Sequence, residues 1–259
     1  MLLPPEALQL PLPLVASARL LPDRSSMLAL LPKRRIFVEV GVGLGTLSHF
    51  AMEICQPSTF IGIDNFLLHE IPMLWGQPSK VLLNGLTHEA AYRAQFAREA
   101  AAGTFIVLTG ESAECLERLD DRSVDIIYID ADHRYGPVRD DLAVARCKIK
   151  DDGWIILNDY VMIATLDDTE PYGVINAANE FMIEHDWGIQ YLALQPQMFC
   201  DIALRPRRFL NPNPALDGEL ARLQVEVRDL RASTSWQVTA PLRGLGAMIQ
   251  RYRSARKAN

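Results

Sequence analysis

Short apolar runs rich in β-branched residues alternate with longer helical patterns along most of this chain, and this alternation constrains the fold most. Such alternation is typical of a parallel sheet whose strands are joined by helical crossovers. We predict a helix at residues 174–185 and strands at 36–40, 59–63, 105–109, 124–129, 154–157, 188–194 and 198–204. The last two strands are expected to form an antiparallel pair. The sequence therefore predicts an α/β fold with a seven-stranded, mostly parallel sheet and helices on both faces.

The two ends of the chain have a different character from this central pattern. We predict an N-terminal arm with a leading helix at 1–30, a catalytic-sized domain at 31–206, and a heptad helix with a basic tail at 207–259. Apolar residues recur at alternating spacings of four and three in the last part: Leu216, Leu220, Leu223, Val227 and Leu230. Such a stripe predicts self-association or protein docking, and hence a homo-oligomer or a docked enzyme.

Composition excludes several classes of function. The net charge of −6 argues against a general nucleic-acid binder, because such proteins need a basic surface. No apolar stretch approaches the roughly 20 residues of a membrane-spanning helix, so we expect any membrane contact to be peripheral. The four cysteines are far apart and contain no C-x-x-C pair, which favours a cytoplasmic protein over a disulfide-bonded one.

A glycine-rich turn follows the first long strand, with Gly41, Gly43 and Gly45 placed directly before a helical stretch. A sharp strand-to-helix turn needs unusual backbone angles and a close approach to the ligand, both of which favour glycine. Asp64 ends the next strand about 20 residues later, where its carboxylate can accept hydrogen bonds from both hydroxyls of a ribose. The pattern indicates a nucleoside-containing cofactor.

Two cofactor classes fit this turn. A nicotinamide dinucleotide, and hence an NAD(P)-dependent oxidoreductase, is the alternative, but Thr46 stands where the dinucleotide pattern has its third glycine. Glu39 precedes the turn, and a carboxylate there suits a cationic amino-acid group better than a pyrophosphate. No recognisable Tyr-x-x-x-Lys pair supports the oxidoreductase.

The motifs along the chain resemble those of class I S-adenosylmethionine-dependent methyltransferases, a Rossmann-like family. The resemblance covers roughly residues 30–205 and depends on the strings Val38 to Gly45, Gly110 to Glu114, Ile129 to His133 and Asp152 to Tyr160. The last two strings resemble the branch of catechol-type and macrolide-sugar O-methyltransferases. This resemblance implies that Glu39 and Gly41 lie near the methionine part of the cofactor and Asp64 on the ribose. It also implies that Glu111 and Ser112 lie beside the adenine, and Asn65 could add a contact or simply form a turn.

The acceptor chemistry is expected at the carboxyl ends of the fourth and fifth strands. Polar side chains cluster there: Asp130, Asp132 and His133 on one strand end, Asn158, Asp159 and Tyr160 on the other. In one reading, Asp130 and Asp159 match two Mg²⁺ ligands of the metal-dependent relatives, although Tyr160 replaces the asparagine of the catechol-type branch. In the other, His133 is the general base and is oriented by Asp132 or Asp159.

The function predicted from these features is O-methylation of a sugar or another small hydroxyl acceptor. The stretch from Ser233 to Arg243 resembles tails of bacterial surface-polysaccharide assembly enzymes, which favours a surface glycan as the acceptor, with the tail as a peripheral docking segment. A non-catalytic cofactor-binding scaffold is a further alternative. The long segment 65–102 is interpreted as a lid over the acceptor. The remaining histidines have no companion ligands and are expected to be structural or exposed: His49, His69, His88 and His185.

Overall fold

The computed structural model describes residues 7–161, 172–195 and 199–211, and single residues at 222, 225, 226, 228, 229, 232 and 233. The chain divides into two units, Met1–Asn211 and Pro212–Asn259. The heptad positions and the basic tail lie outside the described residues, so the division into three domains stays a prediction. Within the described part of the chain, no helix is long and apolar enough to cross a membrane.

The first unit is built around one large sheet with helices on both of its faces. Its strands are β1 (Arg19–Leu21), β2 (Ile36–Val40), β3 (Thr59–Asp64), β4 (Met73–Leu74), β5 (Gln77–Pro78), β6 (Phe105–Thr109), β7 (Val124–Ile129), β8 (Ile149–Leu157), β9 (Trp187–Leu194) and β10 (Cys200–Pro206). Its helices are α1 (Arg24–Leu30), α2 (Thr46–Ile54), α3 (Ser79–Leu82), α4 (His88–Gln95), α5 (Ala97–Ala101), α6 (Ser112–Glu117), α7 (Tyr135–Lys148) and α8 (Val174–His185). The sheet order is β1-β9-β10-β8-β7-β2-β3-β6, while β4 and β5 form a separate hairpin.

This architecture confirms the predicted fold class. Strand β10 is antiparallel to its neighbours β8 and β9, and the other pairs of the large sheet are parallel. All seven predicted strands are present, although β8 begins at Ile149, five residues earlier than predicted. The antiparallel pairing of β9 with β10 follows the prediction, and the turn between them lies outside the described residues.

The N-terminal arm adds an eighth strand that the sequence pattern does not reveal. Strand β1 pairs in parallel with the edge of β9, with Arg19 opposite Tyr191 and Leu21 opposite Ala193. Three residues are too few to show a period of two, and Leu20 is exposed. The partner strand, which is about 170 residues away in sequence, therefore determines this element.

Alternate residues of the central strands point into two different hydrophobic layers. Val38 and Val40 pack on the face that carries α6, α7 and α8, whereas Phe37 packs on the face that carries α1, α2 and α4. Strand β7 follows the same alternation, with Ile127 on the first face and Tyr128 on the second. A strand buried on both sides reads as a nearly continuous apolar run, which explains the sequence pattern.

The carboxyl ends of the parallel strands meet at one edge of the sheet. Backbone hydrogen bonds continue past the strand ends: Asp130 N donates to Val40 O at 2.7 Å, and Gly41 N donates to Ile63 O at 2.8 Å. From β2 the sheet extends to β3 and β6 in one direction and to β7 and β8 in the other. Such a switch point leaves a crevice outside the strand ends, where ligands of this kind of fold bind.

Candidate active site

A cleft of about 960 Å³ opens at this switch point. Most of the residues predicted for the cofactor and for the chemistry line it: Glu39, Gly41, Gly43, Asp64, Asn65, Glu111, Ser112, Asp130, His133 and Asp159. Among the predicted cofactor residues, Gly45 does not line the cleft. The segments that the sequence pattern treats as separate motifs therefore face one shared volume.

The three glycines of the turn have three different roles. All have positive φ, of 85°, 49° and 85° for Gly41, Gly43 and Gly45. A Cβ on Gly41 would lie 2.1 Å from Asp130 O, so this glycine lets β2 and β7 approach each other. A Cβ on Gly43 would meet nothing within 4 Å, because this residue faces the open cleft. A Cβ on Gly45 would lie 3.1 Å from Gln95 Oε1 and 3.3 Å from the Tyr92 ring, so this glycine lets α4 pack closely against the turn.

Asp64 braces the glycine turn from the neighbouring strand. Its Oδ2 accepts hydrogen bonds from Val42 N at 2.9 Å and Gly43 N at 3.3 Å, and its Oδ1 accepts one from Phe66 N at 2.7 Å. The side chain of Asn65 accepts from Leu67 N at 3.3 Å, which is the turn-forming role that the sequence left open. The cleft thus has the predicted acid, already engaged with the loop beside it.

Glu39 is buried at the base of the cleft. Ser48 Oγ donates to Glu39 Oε2 at 2.5 Å, and the Tyr92 hydroxyl lies 2.8 Å from the same Ser48 oxygen. Burial raises the pKa of Glu39 well above its usual range. A cationic group bound beside Glu39 would favour its ionised form, which fits the predicted contact with an amino group.

The other predicted cofactor residues, Glu111 and Ser112, lie at the start of α6. Glu111 occupies the position before the first helical residue, and both side chains line the cleft on the side of β6. Gly110 precedes them with φ of 146°, which turns the chain sharply out of β6. In the strand order, β2 and its glycine turn lie between this wall and the acids of β7 and β8.

The acids of β7 and β8 converge on His133. His133 Nε2 lies 3.6 Å from Asp130 Oδ1 and 3.8 Å from Asp159 Oδ2, and it is buried without a hydrogen-bond partner. The Tyr172 ring stacks on the His133 ring with centroids 4.5 Å apart. Asn158 Nδ2 donates to Asp130 Oδ2 at 3.0 Å, which fixes that carboxylate.

Asp132 does not orient His133. Its carboxylate binds Arg134 instead, with N–O distances of 2.5 to 3.0 Å. The adjacent basic residue in the sequence could have indicated this local pair. Tyr160 also points elsewhere, because its hydroxyl donates to Asn179 Oδ1 on α8 at 2.5 Å.

A partly buried cation lies beside the acids, and the sequence analysis did not identify it. Arg24 lines the cleft, and its Nε donates to Asp201 Oδ2 at 2.6 Å. The Tyr128 hydroxyl donates to the same Asp201 carboxylate. Arg24 and Asp201 are 177 residues apart in sequence, and no local motif marks either one. The guanidinium supplies a permanent positive charge that lowers the pKa of Asp130 and Asp159 and partly offsets their burial.

The protonation of the cluster follows from its burial. Burial raises the pKa of Asp130 well above its usual range and the pKa of Asp159 to about 6, and Asp159 and Asp201 respectively add to these increases. Burial lowers the pKa of His133. Near neutral pH the imidazole is therefore neutral and able to accept a proton.

Asp159→Asn is expected to stabilise the fold at pH 8 and to have no such effect at pH 4. The pKa of Asp159 is about 6 in the folded protein, against an ordinary 3.8, so the unfolded chain loses this proton first as the pH rises. The carboxyl therefore disfavours folding increasingly between these values, by about 1 to 2 kcal/mol after allowance for its partial exposure. Asparagine also tolerates the positive φ of 52° at this position.

Urea unfolding at both pH values measures this difference. The matched control is Asp140→Asn, because Asp140 is an exposed acid on α7. An equal change at pH 4 and pH 8 would contradict the assignment of the effect to the buried carboxylate.

Comparison with known proteins gives a consistent result over the part of the chain that forms the cleft. Residues 38–160 match the model of a family described as a methyltransferase domain. No curated protein sequence matches significantly. These residues contain the glycine turn, both acid-bearing strand ends and His133.

Solved structures of methyltransferases are similar at low identity. The O-methyltransferase TomG of Streptomyces achromogenes has 13% identity and a TM-score of 0.49, over 70% of this chain and 78% of that one. A precorrin-6y C5,15-methyltransferase of Geobacter metallireducens has 15% identity and a TM-score of 0.46, over 70% and 84%. An S-adenosylmethionine-dependent methyltransferase of Aquifex aeolicus has 13% identity and a TM-score of 0.45, over 74% and 90%. Identities and TM-scores this low give no information about the substrate of this chain.

The family match favours the methyltransferase over the nicotinamide enzyme and the non-catalytic scaffold. It covers the turn whose spacing lacks the third glycine of the dinucleotide pattern. Residues 38–160, which are 123 of the 259 residues of the chain, therefore match a methyltransferase domain.

Proposed function

We propose that this enzyme methylates a hydroxyl oxygen of a small acceptor and that His133 removes the hydroxyl proton. The observation that carries the proposal is the unpartnered, buried Nε2 of His133, which faces Asp130 and Asp159 in the cleft that also contains the glycine turn. A base must lie within reach of the reacting proton and be unprotonated at the working pH. His133 meets the second condition because burial lowers its pKa.

S-adenosylmethionine, when bound, supplies the methyl group from a sulfonium sulfur. The task of the chain is to align the acceptor oxygen with that methyl group, exclude water and take up the proton. In the proposed reaction the proton moves from the hydroxyl to His133 Nε2 as the new C–O bond forms. The Asp159 carboxylate, whose Oδ2 is 3.8 Å from Nε2, lies close enough to stabilise the resulting imidazolium.

The donor set of the cluster does not fit Mg²⁺ well. The ion prefers six oxygen ligands, and Asp130 and Asp159 supply carboxylates, but Asn158 turns its N–H₂ group toward Asp130. Within the described residues, no group of three or more histidine, cysteine or acidic side chains is arranged to hold a metal ion. Arg24 already supplies a positive charge near the two acids. The magnesium hypothesis stays a prediction, and the proposed mechanism does not use a metal.

A neutral sugar ring is the acceptor that the cleft favours. Trp75 lines the cleft at the tip of the β4–β5 hairpin and is 74% exposed, so its ring is free to stack on the apolar face of a ligand. Asp130 and Asp159 line the same cleft and would bind hydroxyls of such a ring. The resemblance of residues 233–243 to polysaccharide-assembly tails supports a surface glycan, which would place the enzyme in the cytoplasm with peripheral docking through its tail.

Methyl transfer to defined acceptors tests this function. We expect labelled methyl from S-adenosylmethionine to appear as a methyl ether on neutral glycosides and not on amines or carboxylates. The rate should change by less than about twofold after exhaustive chelation, since His133 and not a metal activates the hydroxyl. Restoration of a lost activity by Mg²⁺ or Mn²⁺ would support the metal mechanism instead. Label found only on nitrogen or carboxylate oxygen would refute O-methylation.

A further inference from the structure

Helix α4, from the long segment between β3 and β6, lies against the glycine turn. Its residues His88, Tyr92 and Gln95 follow the i, i+4, i+7 spacing of one helix face. Gln95 Nε2 donates to Leu44 O at 3.3 Å, and Tyr92 contacts Ser48 at the start of α2. The sequence interpretation of segment 65–102 as a lid therefore applies at most to its first part, where Leu68 and Trp75 line the cleft.

His88 makes the shortest of these contacts with the turn. Its Nε2 lies 2.6 Å from Gly43 O, and because a carbonyl oxygen only accepts, Nε2 carries the hydrogen. The side chain is 1% exposed, and the Phe66 ring packs edge-on against it with centroids 4.9 Å apart. The hydrogen bond and the ring contact thus fix the orientation of the imidazole.

The second ring nitrogen of His88, Nδ1, faces the Asp64 side chain, which also contacts the glycine turn. Nδ1 has no hydrogen-bond partner and lies 3.9 Å from Asp64 Oδ1. Asp64 in turn accepts the Gly43 N–H.

We propose that His88 is a positioning residue that presets the cofactor loop by holding the Gly43 carbonyl while Asp64 holds the Gly43 amide. Gly43 has positive φ and an open face toward the cleft, so an unbraced turn would sample several conformations. A loop fixed before binding loses less conformational entropy when the ligand arrives. His88 does not touch the acceptor side of the cleft, and this inference is independent of the acceptor.

Paired substitutions at position 88 separate the hydrogen bond from packing. The glutamine amide nitrogen reaches the position of His Nε2, whereas the asparagine amide nitrogen corresponds to Nδ1 and falls short of Gly43 O. We expect His88→Asn to raise the Kd and KM for S-adenosylmethionine about tenfold, as expected for the loss of one buried hydrogen bond. We expect kcat to stay within about twofold and His88→Gln to restore affinity to within about threefold of wild type.

Calorimetric titration with S-adenosylmethionine and thermal unfolding of the free protein provide the readouts. His185→Asn is the control, because His185 ends α8 and does not line the cleft. Equal affinities of the asparagine and glutamine variants would overturn the proposal, as would a fall in unfolding temperature with unchanged affinity. If one variant does not fold, the affinity of the other decides, because glutamine must bind nearly normally and asparagine must not.

Discussion

Replacing His133 by alanine is expected to lower kcat by about 10²- to 10⁴-fold, the usual contribution of a general base. The affinity for S-adenosylmethionine should stay nearly unchanged, because the glycine turn and Asp64 lie on β2 and β3, on the other side of the switch point. Single-turnover rates and calorimetric titration measure the two quantities separately. A loss of affinity without a loss of kcat would show that His133 belongs to the cofactor site.

The pH dependence of the same variant gives an independent check. The wild-type kcat/KM is expected to fall at acidic pH, below the ordinary titration range of a histidine, because burial lowers the pKa of His133 and protonation of its ring removes the base. At neutral pH the base is free. His133→Ala should lose most of the activity, and its residual kcat/KM should no longer fall at acidic pH. If the residual kcat/KM of the alanine variant falls in the same way as that of the wild type, a group other than His133 titrates.

Features that depend on neighbouring residues were predictable from the sequence. A strand, a turn and a helix within about 20 residues determine the glycine loop, so its position and its acid at Asp64 follow from local spacing. Asp130, His133 and Asp159 follow from the rule that parallel strands present their carboxyl ends at one edge. The structure places all of them in one cleft.

Features that depend on distant residues were not predictable. The Arg24–Asp201 pair joins the start of α1 to β10, and neither residue has a local pattern that indicates its partner. Strand β1 exists because the edge of β9 is available to it. His88 lies in a helical stretch without a motif, and only the packing of α4 against the turn brings its ring to Gly43 O. Each case depends on a tertiary contact, and the local sequence pattern either does not indicate that contact or favours another structure.

The glycine turn offers a second large effect, because substitution at two of its positions should fail in two different ways. Gly43→Val is expected to weaken S-adenosylmethionine binding by more than about 100-fold while the protein still folds, since a side chain there projects into the open cleft where the ligand has to lie. Gly41→Ala should instead destabilise the protein, because the new Cβ would lie 2.1 Å from Asp130 O on the neighbouring strand.

The backbone at Gly43 makes a matched control necessary, because φ of 49° costs any L-residue about 1 to 2 kcal/mol. Gly43→Ala carries this penalty with little added volume, so the difference between the valine and alanine variants isolates the steric block. Thermal unfolding and calorimetric titration of the three variants give the stability and the affinity of each. We expect affinity to fall most for Gly43→Val and unfolding temperature to fall most for Gly41→Ala. Near-normal binding by Gly43→Val would mean that the cofactor does not approach the turn at this position.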